Sequence, residues 1–226
     1  INEDVATVVS GISIADVDVG SGSIRVALEV DNGSLSLGTT TGLTFADDDG
    51  SDGTLIFTGT LANVNAALAT LSYTSDANYN GTDSLTIDVN DLGNTGAGNT
   101  LTDSDSVAIT VDPINDAPVN AITGFTVNED STSNAVSGVS ISDFDVSEGN
   151  GVVQVTLSVL NGTIDLTLTT GLAFSDAAGD AQMIFTGSLS DVNNALATLQ
   201  YTPTANHFGT DSLTITFQDL PDRSTA

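Results

Sequence analysis

The chain of 226 residues has no cysteine, no tryptophan and no lysine, and its only two basic side chains besides one histidine are Arg25 and Arg223. The missing cysteine excludes disulfides, zinc–thiolate sites and thiol catalysis. The missing lysine leaves thirty Asp and Glu residues almost without counter-charge, for a net charge of -28. This charge excludes nucleic acid and anionic membranes as expected partners, and it leaves a self-repulsion that metal cations would relieve.

Long apolar runs are missing as well. No run approaches the roughly 18 residues that a membrane-spanning helix needs, so no membrane insertion is expected.

What the chain does contain is an internal repeat. Residues 1–91 recur as residues 127–219 after a shift of about 127 positions. For example, the series Gly-Thr-Asp-Ser-Leu occupies both 81–85 and 209–213. This period exceeds that of solenoid repeats, so each copy is predicted to be a whole domain. We expect repeat 1 at 1–112, a linker at 113–118 and repeat 2 at 119–226.

Each copy consists mainly of short alternating segments bounded by Gly, Asn and Asp, which is typical of an all-β fold. We therefore predict two tandem immunoglobulin-like β-sandwiches. The best-defined strands predicted in the first copy are 8–15, 24–30, 54–58, 84–89 and 106–111. Asn32-Gly33 and Asn161-Gly162 are interpreted as tight hairpin turns with positive φ. They also match the N-glycosylation pattern, but the turn is favoured.

One segment in each copy has helical spacing instead. Apolar residues stand at i, i+3, i+4 and i+7 from Val64 to Leu71, and again from Val192 to Leu199. This spacing predicts one short amphipathic helix of about ten residues in each sandwich, closing its core. Between the copies, Pro113 and Pro118 bracket a polar tetrapeptide and predict an extended, stiff linker.

Several motifs in fixed order resemble the cadherin-like tandem repeats of very large, calcium-dependent bacterial surface adhesins. They are Asn-Asp-Ala-Pro at 115–118, Asn-Glu-Asp at 2–4 and 128–130, Ser-Ile-x-Asp-x-Asp at 140–145, and the Phe-Thr-Gly, helix, Tyr-Thr, Gly-Thr-Asp-Ser-Leu series. The likeness covers nearly the whole chain. It implies calcium sites where successive repeats meet, formed by a glutamate, linker carboxylates and an Asp-x-Asp pair.

The resemblance implies a specific ligand set for Ca²⁺. One site would use Glu3, the linker residues Asn115 and Asp116, and the pair Asp143 and Asp145. By the same logic Asp16 and Asp18 would face a preceding repeat, and Glu129 a following one. The cadherin Asp-Arg-Glu motif is absent, and Asp76 or Asp83 would be imperfect substitutes for it, which leaves the number of ions per junction open.

Simpler interpretations of the acidic residues remain open. Asp-x-Asp pairs at strand ends are also found as solvated turns, although the matched copies favour calcium. The acidic stretch 47–53 fails the EF-hand spacing, so an acidic hairpin tip is favoured there and in its counterpart 176–180. The loop 94–99 is interpreted as a connection.

Catalysis finds little support. The only histidine, His207, aligns with Tyr79, so a general base would exist in one copy only. Paired carboxylates could hydrolyse glycosides, but no tryptophan platform accompanies them. We expect no enzyme activity.

The expected function is that of calcium-rigidified spacer repeats in a secreted bacterial cell-surface adhesin, with adjacent repeats of the same chain as partners. Two alternatives stay open: a calcium-dependent polysaccharide-binding module, and a subunit of an extracellular filament built by strand exchange. The second arises because the first copy shows no counterpart of the predicted first strand 119–127, and the second copy shows none of strand 106–111. Either the chain is cut out of phase from a longer array, or neighbouring molecules donate strands.

Overall fold

The computed structural model describes residues 1–94, 99–147, 151–176 and 179–220. The chain divides into two compact units, Ile1–Ile114 and Asn115–Ala226. Both consist mostly of antiparallel strands, which confirms the predicted all-β, sandwich-type class. The finer domain boundaries stay predictions, and residues 221–226 of repeat 2 lie outside the described part.

The first unit contains eight strands and one α-helix in its described residues, together with a 3₁₀ turn at Gly50–Asp52. These are β1 (Thr7–Val8), β2 (Ser23–Glu29), β3 (Gly33–Leu37), β4 (Leu43–Asp47), β5 (Thr54–Thr60), α1 (Leu61–Leu68), β6 (Leu71–Ser75), β7 (Gly81–Asn90) and β8 (Thr102–Val111). One sheet has the order β4-β5-β2-β7-β8 and the other β1-β6-β3.

Alternation along the strands forms the core of this unit. In β2, Ile24, Val26 and Leu28 are fully buried while the residues between them are partly exposed. Apolar side chains of the other sheet and of α1 join them in a single cluster, so the two sheets pack face to face. Helix α1 starts at the N-cap Thr60, whose hydroxyl accepts from the Asn63 N–H, and it buries Val64, Ala67 and Leu68. It therefore closes the core, as predicted.

Two sequence-based boundaries were wrong. Of the predicted strand 8–15 only Val8 is in a strand, β1, which pairs with β6. Gly11, at φ +86°, interrupts the extended backbone, and Ile12 and Ile14 pack against the core without a strand partner. The alternating apolar residues of this segment therefore indicate that one side of it is buried, and they do not indicate hydrogen bonding to a neighbouring strand. Leu71, predicted as the last helical residue, begins β6 because α1 ends at Leu68.

The hairpin turns predicted at Asn32-Gly33 and Asn161-Gly162 were also wrong. Strand β2 pairs with β5 and β7, whereas β3 pairs with β6 in the other sheet, so Asn32-Gly33 forms a corner between sheets. Neither Gly33 nor Gly162 has positive φ. A Cβ at Gly33 would instead lie 2.4 Å from the Thr74 carbonyl oxygen, so glycine is needed there for close approach.

The second unit repeats this plan. Its elements are β9 (Val119–Ala121), β10 (Asn134–Ala135), β11 (Ser140–Ser142), β12 (Val152–Ser158), β13 (Gly162–Leu166), β14 (Ala173–Asp176), β15 (Gln182–Ser188), α2 (Leu189–Leu196), β16 (Leu199–Pro203) and β17 (Thr214–Asp219). The sheets have the orders β14-β15-β12-β17, β10-β16-β13 and β11-β9. Of the predicted first strand 119–127, only Val119–Ala121 is a strand.

The units differ at one sheet edge. In the first unit β7 pairs with β8 from Gly81 to Asn90. In the second unit the corresponding strand, β17, pairs with β12, and no described strand pairs with its other side. Its inward side chains Ile215 and Phe217 are only partly buried.

Among the described residues, no helix is long and apolar enough to span a membrane.

Candidate metal-binding carboxylates

Glu3 lies at the start of the first unit, where Asn2 forms a parallel bridge with Asp112. The Glu3 backbone N–H donates to the Asp112 carbonyl at 3.0 Å, and the Ile114 N–H donates to Glu3 Oε1 at 2.7 Å. The residue is only 1% exposed, yet its Oε2 has no hydrogen-bond partner. Glu3 is thus a buried carboxyl group with one unsatisfied oxygen.

Among the described residues, no basic side chain pairs with Glu3. Within the described residues the only ion pair joins the amino terminus to Asp112, at 3.8 Å. Arg25 stands in β2 opposite Thr58 and Asn90. An ionised carboxylate buried without a full set of partners is costly, and a bound cation would supply the missing one. The orphaned oxygen therefore fits a metal ligand.

Glu129, the counterpart of Glu3, is exposed. In the first unit the Asp112–Ile114 backbone covers and bonds the glutamate, whereas no described segment of the second unit takes that place. The same residue in the same repeat position therefore has two environments.

Asp16 and Asp18 form a compact turn after the Ile14 segment. Asp16 Oδ1 accepts the backbone N–H groups of Asp18 and Val19, both at 3.0 Å. The Asp18 N–H holds the pKa of Asp16 below its usual value, whereas a side-chain hydrogen bond to the Asp16 carboxyl raises the pKa of Asp18. The two carboxyl groups thus lie close enough to share a proton or a cation.

The second unit places its corresponding pair beside the predicted linker residues. Asp143 Oδ1 accepts the Asp145 N–H at 3.1 Å, as in the first copy. Asp145 Oδ2 accepts the backbone N–H of Asp116, and the side-chain amide of Asn115 donates to the Asp116 carbonyl. The structure therefore brings Asp143, Asp145 and the Asn115–Asp116 backbone together.

Among the described residues, however, no three His, Asp or Glu side chains lie close enough to hold a metal by themselves. Calcium also accepts backbone carbonyl and amide oxygens, which would have to complete any site. The predicted ligand set therefore stays a prediction.

Asp83, proposed above as a substitute ligand, has a structural task. Its Oδ1 accepts the N–H groups of Asp31 and Ser84, and its Oδ2 accepts that of Asn32 and lies 2.9 Å from the Tyr73 hydroxyl. Burial alone would raise the pKa of Asp83, but these four donors outweigh it and hold the pKa below its usual range. Each of the two Asp83 carboxylate oxygens thus accepts two hydrogen bonds.

The second unit contains the same arrangement, with Asp211 accepting from Leu160, Asn161, Ser212 and Tyr201. Burial, together with the neighbouring Asp211, raises the pKa of Tyr201 to about 12.

The acidic stretch 47–53 joins β4 to β5, which are paired, so it is a hairpin tip. Its carboxylates bond locally: Asp47 to the Asp49 N–H, Asp49 to the Ser51 N–H and Asp52 to the Thr54 N–H. Parts of two other predicted loops, residues 95–98 and 177–178, lie outside the described residues.

Sequence reasoning missed one pair of positioning residues. Asn65 of α1 accepts the Ile14 N–H at 2.8 Å and donates to the Ile14 carbonyl at 2.9 Å. Asn193 of α2 bonds Ile141 in the same way. Each asparagine thus fixes the backbone two residues before an Asp-x-Asp pair. Their occurrence at the same place in both copies was the available signal.

We expect Asn65→Ala to loosen the segment that carries Asp16 and Asp18, because the Ile14 N–H and carbonyl would lose their partners. The first unit should lose about 1–2 kcal/mol of stability, and residues 12–19 should exchange amide hydrogens faster. Asn63→Ala on the same helix is the matched control, since its side chain makes one long 3.5 Å bond to Gly42. Equal exchange in both variants would show that the Asn65 bonds do not hold this segment.

Comparison of the chain with models of known families gave no match, and no curated protein matched it either.

Proposed function

We propose that this chain consists of calcium-stiffened spacer repeats of a large secreted bacterial cell-surface adhesin. The observation that carries the proposal is the buried Glu3 carboxyl group, whose Oε2 has no partner in a chain with thirty acidic and two basic residues. A divalent cation is the partner that this chemistry lacks. The tandem copies and the resemblance of their motifs to adhesin repeats support the spacer role.

Calcium suits these residues because it takes six to eight oxygen ligands of mixed type. In the first unit, Glu3 would contribute a carboxylate, and the separate pair Asp16 and Asp18 would serve a preceding repeat. In the second unit, Asp143 and Asp145 would contribute carboxylates, with oxygens from Asn115 and Asp116, and Glu129 would serve a following repeat. When bound, the ion neutralises these charges and fixes the chain segments that supply them.

Stiffening is the mechanical consequence. Residues 113–118 carry two prolines and therefore few backbone conformations to begin with. An ion that holds Glu3 would further restrict the chain beside Pro113, because Glu3 accepts the Ile114 N–H. An ion that holds the Asn115–Asp116 segment would restrict the chain between the two prolines. An ion that binds the folded protein but not the unfolded chain also stabilises the fold by mass action.

We expect millimolar calcium to raise the melting temperature of the wild-type chain by about 5 °C or more over chelator. It should also narrow the distribution of distances between spin labels placed in the two units. Glu3→Gln should lose most of the thermal shift in calcium. In chelator it should be at least as stable as the wild type, because the amide removes a buried charge that has no counter-charge and can still accept the Ile114 N–H.

Glu29→Gln is the matched control, since Glu29 is exposed at the end of β2. Sodium chloride at equal ionic strength separates specific binding from screening of the net charge. Identical melting and distance distributions with and without calcium would contradict the proposal. A Glu3→Gln variant that keeps the full calcium shift would remove Glu3 from the ligand set.

A further inference from the structure

A cavity of about 700 Å³ opens on the second unit. Two chain segments, residues 122–129 and residues 207–213, line it together with Val159, Tyr201 and Pro203. Several apolar side chains around it are exposed to solvent: Ile122 by 48%, Phe125 by 39% and Phe208 by 85%. Phe125 contacts the Tyr201 ring edge-on, with centroids 5.7 Å apart.

The first unit shows which strand pairs with the segment that corresponds to residues 207–213. There, Gly81, Asp83 and Leu85 of β7 pair with Val111, Ile109 and Val107 of β8. The repeat places Gly209, Asp211 and Leu213 at the positions of those three β7 residues. All three line the cavity. The lining segment 207–213 therefore corresponds to the sequence that β8 pairs with in the first unit.

The other lining segment, residues 122–129, also corresponds to a segment that contacts this strand in the first unit. In the first unit, the Ile1 carbonyl accepts the Asp112 N–H, the Glu3 N–H donates to the Asp112 carbonyl and Glu3 Oε1 accepts the Ile114 N–H. The repeat places Val127, Asn128 and Glu129 at the positions of Ile1 to Glu3. These three residues also line the cavity. Both lining segments thus correspond to segments that bind residues 107–114 in the first unit.

Residues that line the cavity are also more exposed than their counterparts in the first unit. Asp83 is 6% exposed, whereas its counterpart Asp211 is only half-buried. Glu3 is buried and Glu129 is exposed. His207 also lines the cavity, and its buried Nε2 has no hydrogen-bond partner.

We propose that this cavity is a binding site for an extended peptide strand with the pattern of residues 102–114. The peptide carries branched apolar residues at alternate positions, as in Val107, Ile109 and Val111, followed by Asp-Pro. It lies antiparallel to β17, lengthens that strand towards Gly209 and places a backbone N–H on the Glu129 carboxylate. Such strand addition combines main-chain hydrogen bonds with pockets for alternate side chains. The proposal does not depend on calcium.

The test uses a fluorescent synthetic peptide of residues 101–114, titrated into the full 226-residue chain in chelator. We expect saturable binding with a Kd of about 1–100 μM, as anisotropy would measure. The peptide with Ile109→Asp should bind at least about tenfold more weakly, because the substitution would place a charge in an apolar pocket. Hydrogen exchange of the complex should show new protection at 209–219 and 122–129, and none at β7.

Absence of saturable binding would overturn the proposal, as would equal affinity of the two peptides or protection confined to the first unit. Light scattering of the chain without peptide supplies the remaining outcome. A concentration-dependent dimer with β17 already protected would show that a second copy of the chain occupies the site. That result would contradict the binding of a separate peptide strand. Glu129→Gln tests the carboxylate contact and should weaken the peptide several-fold without changing the fold, since Glu129 is exposed.

Discussion

Replacing Asp83 with alanine is expected to cost the first unit about 3 kcal/mol or more. The substitution leaves the N–H groups of Asp31, Asn32 and Ser84 without their acceptor, and it removes one of the two oxygens beside the buried Tyr73 hydroxyl. These groups hold the chain where it crosses from one sheet to the other, so their loss should be cooperative. Peptide-level hydrogen exchange reads this unit separately from the other.

Asp211→Ala is the matched control because it deletes the same hydrogen bonds at a half-buried position. Water can replace part of what is lost there, so the expected cost to the second unit is about 1–2 kcal/mol. Equal costs at the two sites would show that burial does not set the strength of this contact.

The acid dependence of stability follows from the same carboxylates. The pKa values of Asp83 and Asp211 are held below the usual range, so the stability they provide is complete above the unfolded value of about 3.9. It is lost as the pH falls through the lower folded values. Wild-type protein should therefore lose stability steeply below about pH 4, and Asp83→Asn should flatten that slope in the first unit.

The second large effect is expected for Gly33→Ala. An alanine Cβ there would lie 2.4 Å from the Thr74 carbonyl oxygen and 2.7 Å from the Tyr73 ring. The carbonyl belongs to β6, which pairs with β3 and cannot move without disturbing that sheet. We expect a loss of about 2–3 kcal/mol in the first unit, measured by denaturant unfolding.

Gly162→Ala should behave alike in the second unit, where the Cβ would lie 2.6 Å from the Thr202 carbonyl oxygen. Gly124→Ala serves as the control, since no atom lies within 4 Å of its Cβ, and its effect should stay within about 0.5 kcal/mol. A Gly33→Ala variant as stable as the wild type would show that β3 and β6 do not approach as closely as described.

Much of the fold followed from local patterns. Alternation predicted β2, β5, β7 and β8 to within a few residues, and 3.6-residue spacing predicted α1 and α2, because burial of one face imposes a period that is visible in sequence. The same reasoning was wrong at 8–15, since alternation also arises in a segment that packs on a core without a ladder. It was wrong at Gly33 too. A glycine is needed there because a distant strand approaches closely, and in the sequence such a glycine looks the same as one required by a turn.

The sequence by itself determined the all-β class, the two copies, the helices and the shortage of counter-charge that favours cations. The environment of each carboxyl group was decided only by the tertiary structure. Asp83 accepts four hydrogen bonds and Glu3 keeps an unpartnered oxygen, although both are acidic residues in repeated motifs. Their partners lie up to 111 positions away in the chain. Local periodicity reports which face is buried, but the donors that meet a buried group depend on how distant strands pair.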